Sequence, residues 1–220
     1  MPDQEQKTKL IVTLGPTTRT EEDLSLLKDR GVDFVRINMS HSTLEDLEYF
    51  VALAKKVGIP FVLDTEGSQI RTGELAENSV AISEGASVAI YRDPVIGDGE
   101  RINLRPAVAV GQLLPGDIIH IDFNSLILRV SDTSMLDDKG FVTATALSSG
   151  TLGRNKAVVV DSAVETSFRL PVLSEKDYQA IEIGLREGVG HIAASFMRNE
   201  SFVAAVREAT QGRMRIISKI

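Results

Sequence analysis

Residues 32–64 read VDFVRINMSHSTLEDLEYFVALAKKVGIPFVLD, and this stretch predicts a strand, a helix and a second strand. Two short and mostly apolar runs, Val32–Met39 and Ile59–Leu63, flank a segment whose apolar residues fall at helical spacing. Gly58 ends that segment, as glycine often does just past the carboxyl end of a helix. Because an amphipathic helix separates two apolar strands, the stretch predicts a βαβ unit in a parallel sheet.

The same alternation extends in both directions along the chain. Lys9–Leu14 predicts a strand before this unit, and His191–Phe196 and Met214–Ile220 predict two more after it. Short polar residues begin the predicted helices and are the expected caps: Thr20, Thr43, Ser174 and Asn199. Five such strands are too few to close a (β/α)₈ barrel. We therefore expect that the full protein continues, that another chain covers the last strand, or that the repeat forms an open sheet.

Between residues 73 and 168 the helical periodicity disappears. Short β-rich runs punctuated by Gly, Pro, Asp and Asn replace it: Ser87–Tyr91, Ile118–Ile121, Leu126–Val130 and Phe141–Leu147. This pattern is typical of a small all-β domain. The predicted fold class is α/β, a partial (β/α)₈ TIM-type barrel with an inserted small all-β barrel domain. The predicted domains are 1–72 for the first part of the barrel, 73–168 for the insertion, and 169–220 for the second part.

The composition excludes several classes of function. The 220 residues carry a net charge of −7, so no overall field attracts nucleic acid or an anionic membrane. The chain contains no cysteine, which excludes disulfides and thiolate metal sites. The polar start MPDQEQK and the absence of a long apolar run fit neither a signal peptide nor a membrane span. We therefore expect a cytoplasmic protein.

Six motifs that follow one another along the chain resemble segments of pyruvate kinases. They are Thr8–Pro16 (TKLIVTLGP), Arg36–His41 (RINMSH), Leu63–Gly73 (LDTEGSQIRTG), Leu170–Asp177 (LPVLSEKD), Ala194–Arg198 (ASFMR) and Ile216–Ile220 (IISKI). The resemblance covers essentially the whole chain. It implies a barrel domain with a β domain inserted after the third barrel strand. It also implies phosphoryl transfer from phosphoenolpyruvate to ADP, giving pyruvate and ATP, with Mg²⁺ and usually K⁺.

Two basic residues are the candidates for binding the phosphoryl group, which requires positive charge around its oxygens. Arg36 lies near the end of the second predicted strand, where a guanidinium either binds phosphate oxygens or pairs with a nearby acid. The resemblance implies that Arg36 and Lys219 bind phosphoenolpyruvate. It also implies that Lys219 is the catalytic residue that stabilises the phosphoryl group during transfer. The other interpretation of Lys219 is a lysine that extends from the sheet edge into solvent.

Four oxygen-bearing residues at two strand ends are the candidate cation ligands: Asn38, Ser40, Asp64 and Thr65. Hard cations choose such ligands, although the same residue types also form caps and turns. The resemblance implies that the four residues hold K⁺. Gln69 stands where, in the family, glutamate accompanies K⁺ dependence and lysine accompanies independence, so K⁺ dependence is left open.

The resemblance also implies a nucleotide site, formed by Asn38, His41, Arg71 and Lys156 around ADP or ATP. Lys156 lies in the inserted domain, where the family places a lysine that reaches the nucleotide when that domain closes. A solvated loop lysine is the other interpretation of Lys156.

The chain departs from the family pattern at several positions. Glu66 reverses a charge close to the presumed phosphate site, and Asp122–Asn124 stands where Asp-Asp-Gly is common. The family's Mg²⁺ ligands follow the position of Ile220, so we expect the 220 residues alone to be inactive. The alternatives are a non-catalytic paralogue that binds a phosphorylated metabolite and one half of a split enzyme. A homo-oligomer is expected if a full-length chain exists.

Overall fold

The computed structural model describes residues 8–164 and 168–220. The chain divides into two compact units. One contains residues 8–68 and Pro171–Ile220 and is called the sheet unit; the other contains Gln69–Leu170 and is called the barrel unit.

The elements are numbered in chain order. Those up to residue 91 are β1 (Ile11–Thr13), α1 (Glu21–Asp29), β2 (Phe34–Asn38), α2 (Leu44–Val57), β3 (Phe61–Asp64), β4 (Ile70–Thr72), β5 (Ser79–Ile82) and β6 (Ser87–Tyr91). Next come β7 (Arg101–Arg105), a 3₁₀ helix (Ala107–Gln112), β8 (Ile118–Ile121), β9 (Leu126–Asp132), α3 (Leu136–Lys139), β10 (Phe141–Ala146), β11 (Gly150–Gly153) and β12 (Ala157–Asp161). The last are α4 (Glu175–Arg186), β13 (His191–Ala194), α5 (Glu200–Ala209) and β14 (Arg215–Ser218).

The sheet unit is built around five parallel strands in the order β1-β2-β3-β13-β14. The whole of β3 is buried, which explains its continuously apolar sequence. Helices pack their apolar faces on these strands, and the largest fully buried side chains of this core are Leu24, Ile37, Met39, Leu47, Phe50 and Leu63. The expected βα repeat is confirmed, and five parallel strands with their helices are consistent with a partial (β/α)₈ barrel.

The helices of the sheet unit begin where the sequence predicts. Thr20, Thr43 and Ser174 each accept a hydrogen bond from the backbone N–H of the third helical residue. The carboxylate of the aspartate at that position accepts one from the backbone N–H of the cap residue. Asn199 caps α5 through Phe202 N. These reciprocal bonds satisfy backbone groups that a helix start leaves unpaired. No helix in the described part of the chain has the length and apolarity that a membrane crossing requires.

The barrel unit confirms the predicted all-β insertion. Seven strands close into a barrel in the order β10-β6-β7-β4-β12-β8-β9, and β11 pairs with β5 in a separate two-stranded sheet. The barrel interior is a second apolar core, whose largest fully buried side chains are Ile90, Ile102, Leu104, Ile119, Ile121 and Leu126.

The boundaries of the units differ from the expected 72/73 and 168/169. The structure divides the chain after Ser68 and after Leu170. The first boundary moves because Ile70–Thr72 pairs with β7 and β12 inside the closed barrel. The second moves because Phe168 and Leu170 pack against the barrel core.

Candidate functional site

The carboxyl ends of β2, β3 and β13 lie side by side. Asn38 at the end of β2 is the register partner of Asp64 at the end of β3, and Asp64 is also opposite Ala193 in β13. Because the strands are parallel, the loops that leave them share one edge of the sheet. In βα repeats this edge is where ligands bind.

Asp64 is the centre of the charged groups at this edge. Its side chain is fully buried, yet Lys219 Nζ lies 2.5 Å from Asp64 Oδ1 and Arg36 Nη1 lies 3.0 Å from Asp64 Oδ2. The Arg36 contact is an ion pair rather than an aligned hydrogen bond, because Asp64 Oδ2 accepts no hydrogen bond among the described residues. Arg36 Nε donates to Thr13 Oγ1 at 3.0 Å, which fixes its approach from β2.

Both cationic side chains remain open to a ligand. Their exposed fractions are 31% for Arg36 and 39% for Lys219. Arg36 and Lys219 against the single carboxylate of Asp64 give this group of three side chains a net positive charge, in a chain whose overall charge is −7. The local charge therefore suits an anion, and a guanidinium beside an ammonium suits the several oxygens of a phosphoryl group.

The loop after β2 folds back on its own strand end. Ser40 N donates to Asn38 Oδ1 at 3.0 Å, and His41 N donates to the Asn38 carbonyl at 3.1 Å. Ser40 is buried and His41 is exposed. The predicted cation ligands Asn38 and Ser40 are thus held in one turn beside Asp64.

Ser195 is a residue of this edge to which the sequence assigned no role. It follows β13, and its Oγ donates to the Thr65 carbonyl at 2.7 Å and lies 3.4 Å from Asp64 Oδ1. Ser195 N donates to Thr65 Oγ1 at 3.0 Å. The only sequence indication was its place in the motif ASFMR, which gave no contact partner.

The turn after Thr65 lies against the same serine. Gly67 has φ of +69°, and a β-carbon there would lie 2.8 Å from both Cβ and the carbonyl oxygen of Ser195. Glycine is therefore required by both the left-handed backbone and the close packing.

Glu66 pairs with α4. Its carboxylate accepts from Ser174 Oγ at 3.1 Å and lies 3.4 Å from Lys176 Nζ. Glu66 is the residue whose charge reversal the sequence placed close to a phosphate site, and in the structure its charge is balanced by Lys176. Beside it, Asp177 is fully buried. Burial raises the pKa of the Asp177 carboxyl, while hydrogen bonds from the backbone of Ser174, Gly67 and Glu66 oppose that rise.

Two predicted nucleotide residues lie in the barrel unit. Arg71 in β4 is opposite Ala157, and its Nη1 donates to the Asn155 carbonyl at 2.8 Å. Lys156 Nζ lies 2.8 Å from Asp122 Oδ2, and Lys156 N donates to Thr72 Oγ1. The structure thus brings Arg71 and Lys156 to the same turn of that unit, while Asn38 and His41 belong to the sheet unit.

The residue types at the sheet edge are oxygen donors of the kind that hard cations take. They offer an amide oxygen from Asn38, a hydroxyl from Ser40, the buried carboxylate of Asp64 and the carbonyl of Thr65. The described residues contain no cluster of three or more His, Cys, Asp or Glu side chains, which is the pattern a multidentate transition-metal site needs.

Comparison with known proteins gives the family. The model of the family described as "Pyruvate kinase, barrel domain" matches residues 5–220. The chain belongs to the pyruvate kinase family. It is 33% identical over 211 residues to a pyruvate kinase of Bacillus licheniformis, covering 92% of this chain and 35% of the relative. It is 30% identical over 225 residues to a pyruvate kinase of Geobacillus stearothermophilus, covering 98% of this chain and 38% of the relative.

The chain therefore spans little more than a third of the length of these pyruvate kinases. The family match includes both units, so the inserted β barrel lies within the region of this chain that matches the family. The segments that carry Arg36, Asp64 and Lys219 all lie within the matched range.

Proposed function

We propose that this chain supplies the phosphoenolpyruvate-binding part of a pyruvate kinase active site. The reaction transfers the phosphoryl group of phosphoenolpyruvate to ADP: the bond from phosphorus to the enolate oxygen breaks, a bond to the terminal phosphate oxygen of ADP forms, and the enolate is protonated to pyruvate. The observation that carries the proposal is the convergence of Arg36 and Lys219 on the buried carboxylate of Asp64.

In this proposal the two basic residues have different roles. Arg36, held by Thr13 and Asp64, binds oxygens of the phosphoryl group in the ground state. Lys219 directs its ammonium at the charge that develops during transfer and is the catalytic residue. Asp64 orients both cations, and it limits their mutual repulsion until the anionic substrate arrives.

Cations complete the site in this proposal. Asn38, Ser40, Asp64 and Thr65 would hold K⁺, and Gln69 leaves the dependence on K⁺ open. Mg²⁺, when bound, would neutralise part of the negative charge of the two phosphorylated substrates. Its ligands are expected beyond the position of Ile220. The proposed contacts with ADP or ATP are Arg71 and Lys156 in the barrel unit, and Asn38 and His41 in the sheet unit.

A coupled assay of pyruvate formation tests the proposal. The longest chain encoded by the gene is assayed with phosphoenolpyruvate, ADP and Mg²⁺, with and without K⁺. We expect turnover that falls about 10²–10³-fold in Lys219→Met, a loss typical of removing one group that stabilises transition-state charge. Lys28→Met is the matched control, because Lys28 bonds the backbone carbonyl of Val57 at the carboxyl end of α2. We expect no turnover from the 220 residues alone.

A second candidate function uses the same anion site without catalysis. A non-catalytic paralogue that binds a phosphorylated metabolite, or one half of a split enzyme, would keep Arg36 and Lys219 but form no pyruvate. Phosphoenolpyruvate binding without turnover in the longest encoded chain favours the paralogue, whereas turnover that appears only with a second chain favours the split enzyme. A cytoplasmic location and homo-oligomeric assembly stay predictions.

A further inference from the structure

The first turn of α4 is bonded to the loop that follows β3. Asp177 Oδ1 accepts a hydrogen bond from Glu66 N at 2.8 Å, and Asp177 Oδ2 accepts one from Gly67 N at 2.9 Å. The same carboxylate accepts from Ser174 N at 2.9 Å as part of the helix cap. A single buried side chain therefore caps α4 and holds the two residues that come directly after Asp64–Thr65.

The preceding residue of α4 is bonded to the loop that follows β2. Lys176 Nζ donates to the Met39 carbonyl at 2.5 Å, in the middle of the Asn38–Ser40 turn. It also lies 3.4 Å from Glu66 Oε1, so the ammonium bridges the two loops. Consecutive residues of one helix thus reach both strand ends that carry the candidate cation ligands.

These contacts exceed what helix capping requires. In α1 the equivalent aspartate, Asp23, exchanges the same reciprocal bonds with its cap residue Thr20. Asp23 is not among the buried residues, and no hydrogen bond to another strand-end loop is recorded for it within the described chain. The additional bonds and the burial of Asp177 therefore have a purpose other than starting the helix.

We propose that Lys176 and Asp177 are positioning residues that set the spacing between the Asn38–Ser40 turn and the Asp64–Thr65 strand end. This inference rests on the proposed function, because the groups whose spacing is set are those assigned to the cation and the phosphoryl group. It also assigns a role to Glu66, whose carboxylate holds Lys176 in place between the two loops. Displacement of either loop would move an oxygen ligand away from Asp64 and lower the affinity for phosphoenolpyruvate.

Two disruptive variants of α4, one conservative variant and two matched controls test the proposal. Lys176→Met removes the bridge between the loops, and Asp177→Asn replaces an acceptor with an amide that cannot accept all three backbone bonds. Lys28→Met is the control for a lysine bonded to a backbone carbonyl, that of Val57. Asp23→Asn is the control for a capping-box aspartate.

Three quantities are measured on the intact chain: the Kd for phosphoenolpyruvate with Mg²⁺ and K⁺ present, the melting temperature, and the amide hydrogen-exchange rates of Glu66, Gly67 and Ser40. In Asp177→Asn we expect the Glu66 and Gly67 amides to exchange about tenfold faster and the Kd to rise about tenfold, which corresponds to about 1.4 kcal/mol. In Lys176→Met we expect the Kd to rise similarly and the Ser40 amide to exchange faster. Lys176→Arg, which keeps a charged donor, should retain the wild-type Kd.

The controls separate positioning from simple stability. Asp23→Asn and Asp177→Asn should both lower the melting temperature, but only Asp177→Asn should change the Kd. The proposal would be overturned if Asp177→Asn has the same Kd as the wild type and its Glu66 and Gly67 amides exchange at the wild-type rate. If the wild-type chain does not bind phosphoenolpyruvate, the proposed function fails, and the exchange rates alone then decide whether α4 holds the loops.

Discussion

At the scale of single residues, Asp64 is a charged group that the fold keeps out of water. An unpaired buried carboxylate is costly, and its burial is tolerated here because two cations and the Ser195 hydroxyl contact it. The same contacts orient Arg36 and Lys219 toward one point. The stability of the site and its proposed chemistry therefore depend on the same three charges.

Phe123 carries strain at the tip between β8 and β9. Asp122, Phe123 and Asn124 have φ of 48°, 55° and 70°, and Phe123 is 97% exposed. A left-handed conformation costs a non-glycine residue about 1–2 kcal/mol, whereas glycine adds about 0.4–1 kcal/mol of unfolded-state entropy. We expect Phe123→Gly to raise the free energy of unfolding by up to about 1 kcal/mol, measured by urea denaturation. Phe123→Ala keeps the β-carbon and should not raise the free energy of unfolding. An equal rise in both variants would contradict the presence of backbone strain at Phe123.

His191 makes the stability depend on pH. Burial lowers the pKa of its imidazole, and the charge of Arg215 lowers it further. The ring packs edge-on against Phe34 at 4.9 Å. Because the folded-state pKa is depressed, the stabilisation is present above the unfolded pKa of about 6.5 and is lost as the pH falls below it. The free energy of unfolding should decline less between pH 7.5 and about pH 5 in His191→Gln than in the wild type. If the free energies of unfolding of His191→Gln and the wild type differ by the same amount at every pH, this expectation is contradicted.

At the scale of elements, the turn between β3 and β4 depends on close packing as well as on backbone conformation. Gly31 and Gly67 both have positive φ, but a β-carbon at Gly31 meets nothing within 4 Å. Gly31→Ala should therefore cost only the left-handed strain, about 1–2 kcal/mol. Gly67→Ala adds the overlap with Ser195 and should cost about 3 kcal/mol or more in the free energy of unfolding, measured by chemical denaturation. Equal losses in the two variants would show that the turn can move away from Ser195.

Sequence patterns were sufficient to predict the elements that form from residues close together in the sequence. Helical periodicity and short polar caps located the four helices that the structure describes in the sheet unit, and β6 and β8 have the predicted bounds. The missed strands of the barrel unit are short, and several carry polar or glycine residues: β4, β5, β7, β11 and β12. Their formation depends on partners far away in sequence, such as Arg71 with Arg105. Propensity within a short window does not contain that information.

The candidate site shows the same limit. The residues at the strand ends could be predicted because strand ends in a βα repeat share one edge, and the family motifs supplied their proposed roles. The contacts of Ser195 and Asp177 with the β3–β4 turn could not be predicted, because they join segments separated by more than 100 residues. The last strand also ends earlier than the predicted Ile220, so Lys219 follows β14 rather than lying within it.

At the scale of the whole molecule, the net charge is −7, whereas the group formed by Arg36, Lys219 and Asp64 is locally positive. The overall field does not attract an anionic substrate, so binding must come from the few cations at the strand ends. Under the proposed function, the affinity for phosphoenolpyruvate depends on single basic residues of the sheet unit. It also makes neutral substitutions of exposed lysines elsewhere suitable controls.

The most direct test of the central claim is calorimetric titration of the intact chain with phosphoenolpyruvate in the presence of Mg²⁺ and K⁺. The variants are Arg36→Leu and Lys219→Met, with Lys9→Met as control because that exposed lysine pairs only with Asp33 in the described hydrogen bonds. Melting curves establish that each variant is folded. We predict that each site variant raises the Kd at least about tenfold, and that the control leaves it unchanged. Equal Kd values for wild type, Arg36→Leu and Lys219→Met would contradict a phosphoryl site at this edge of the sheet.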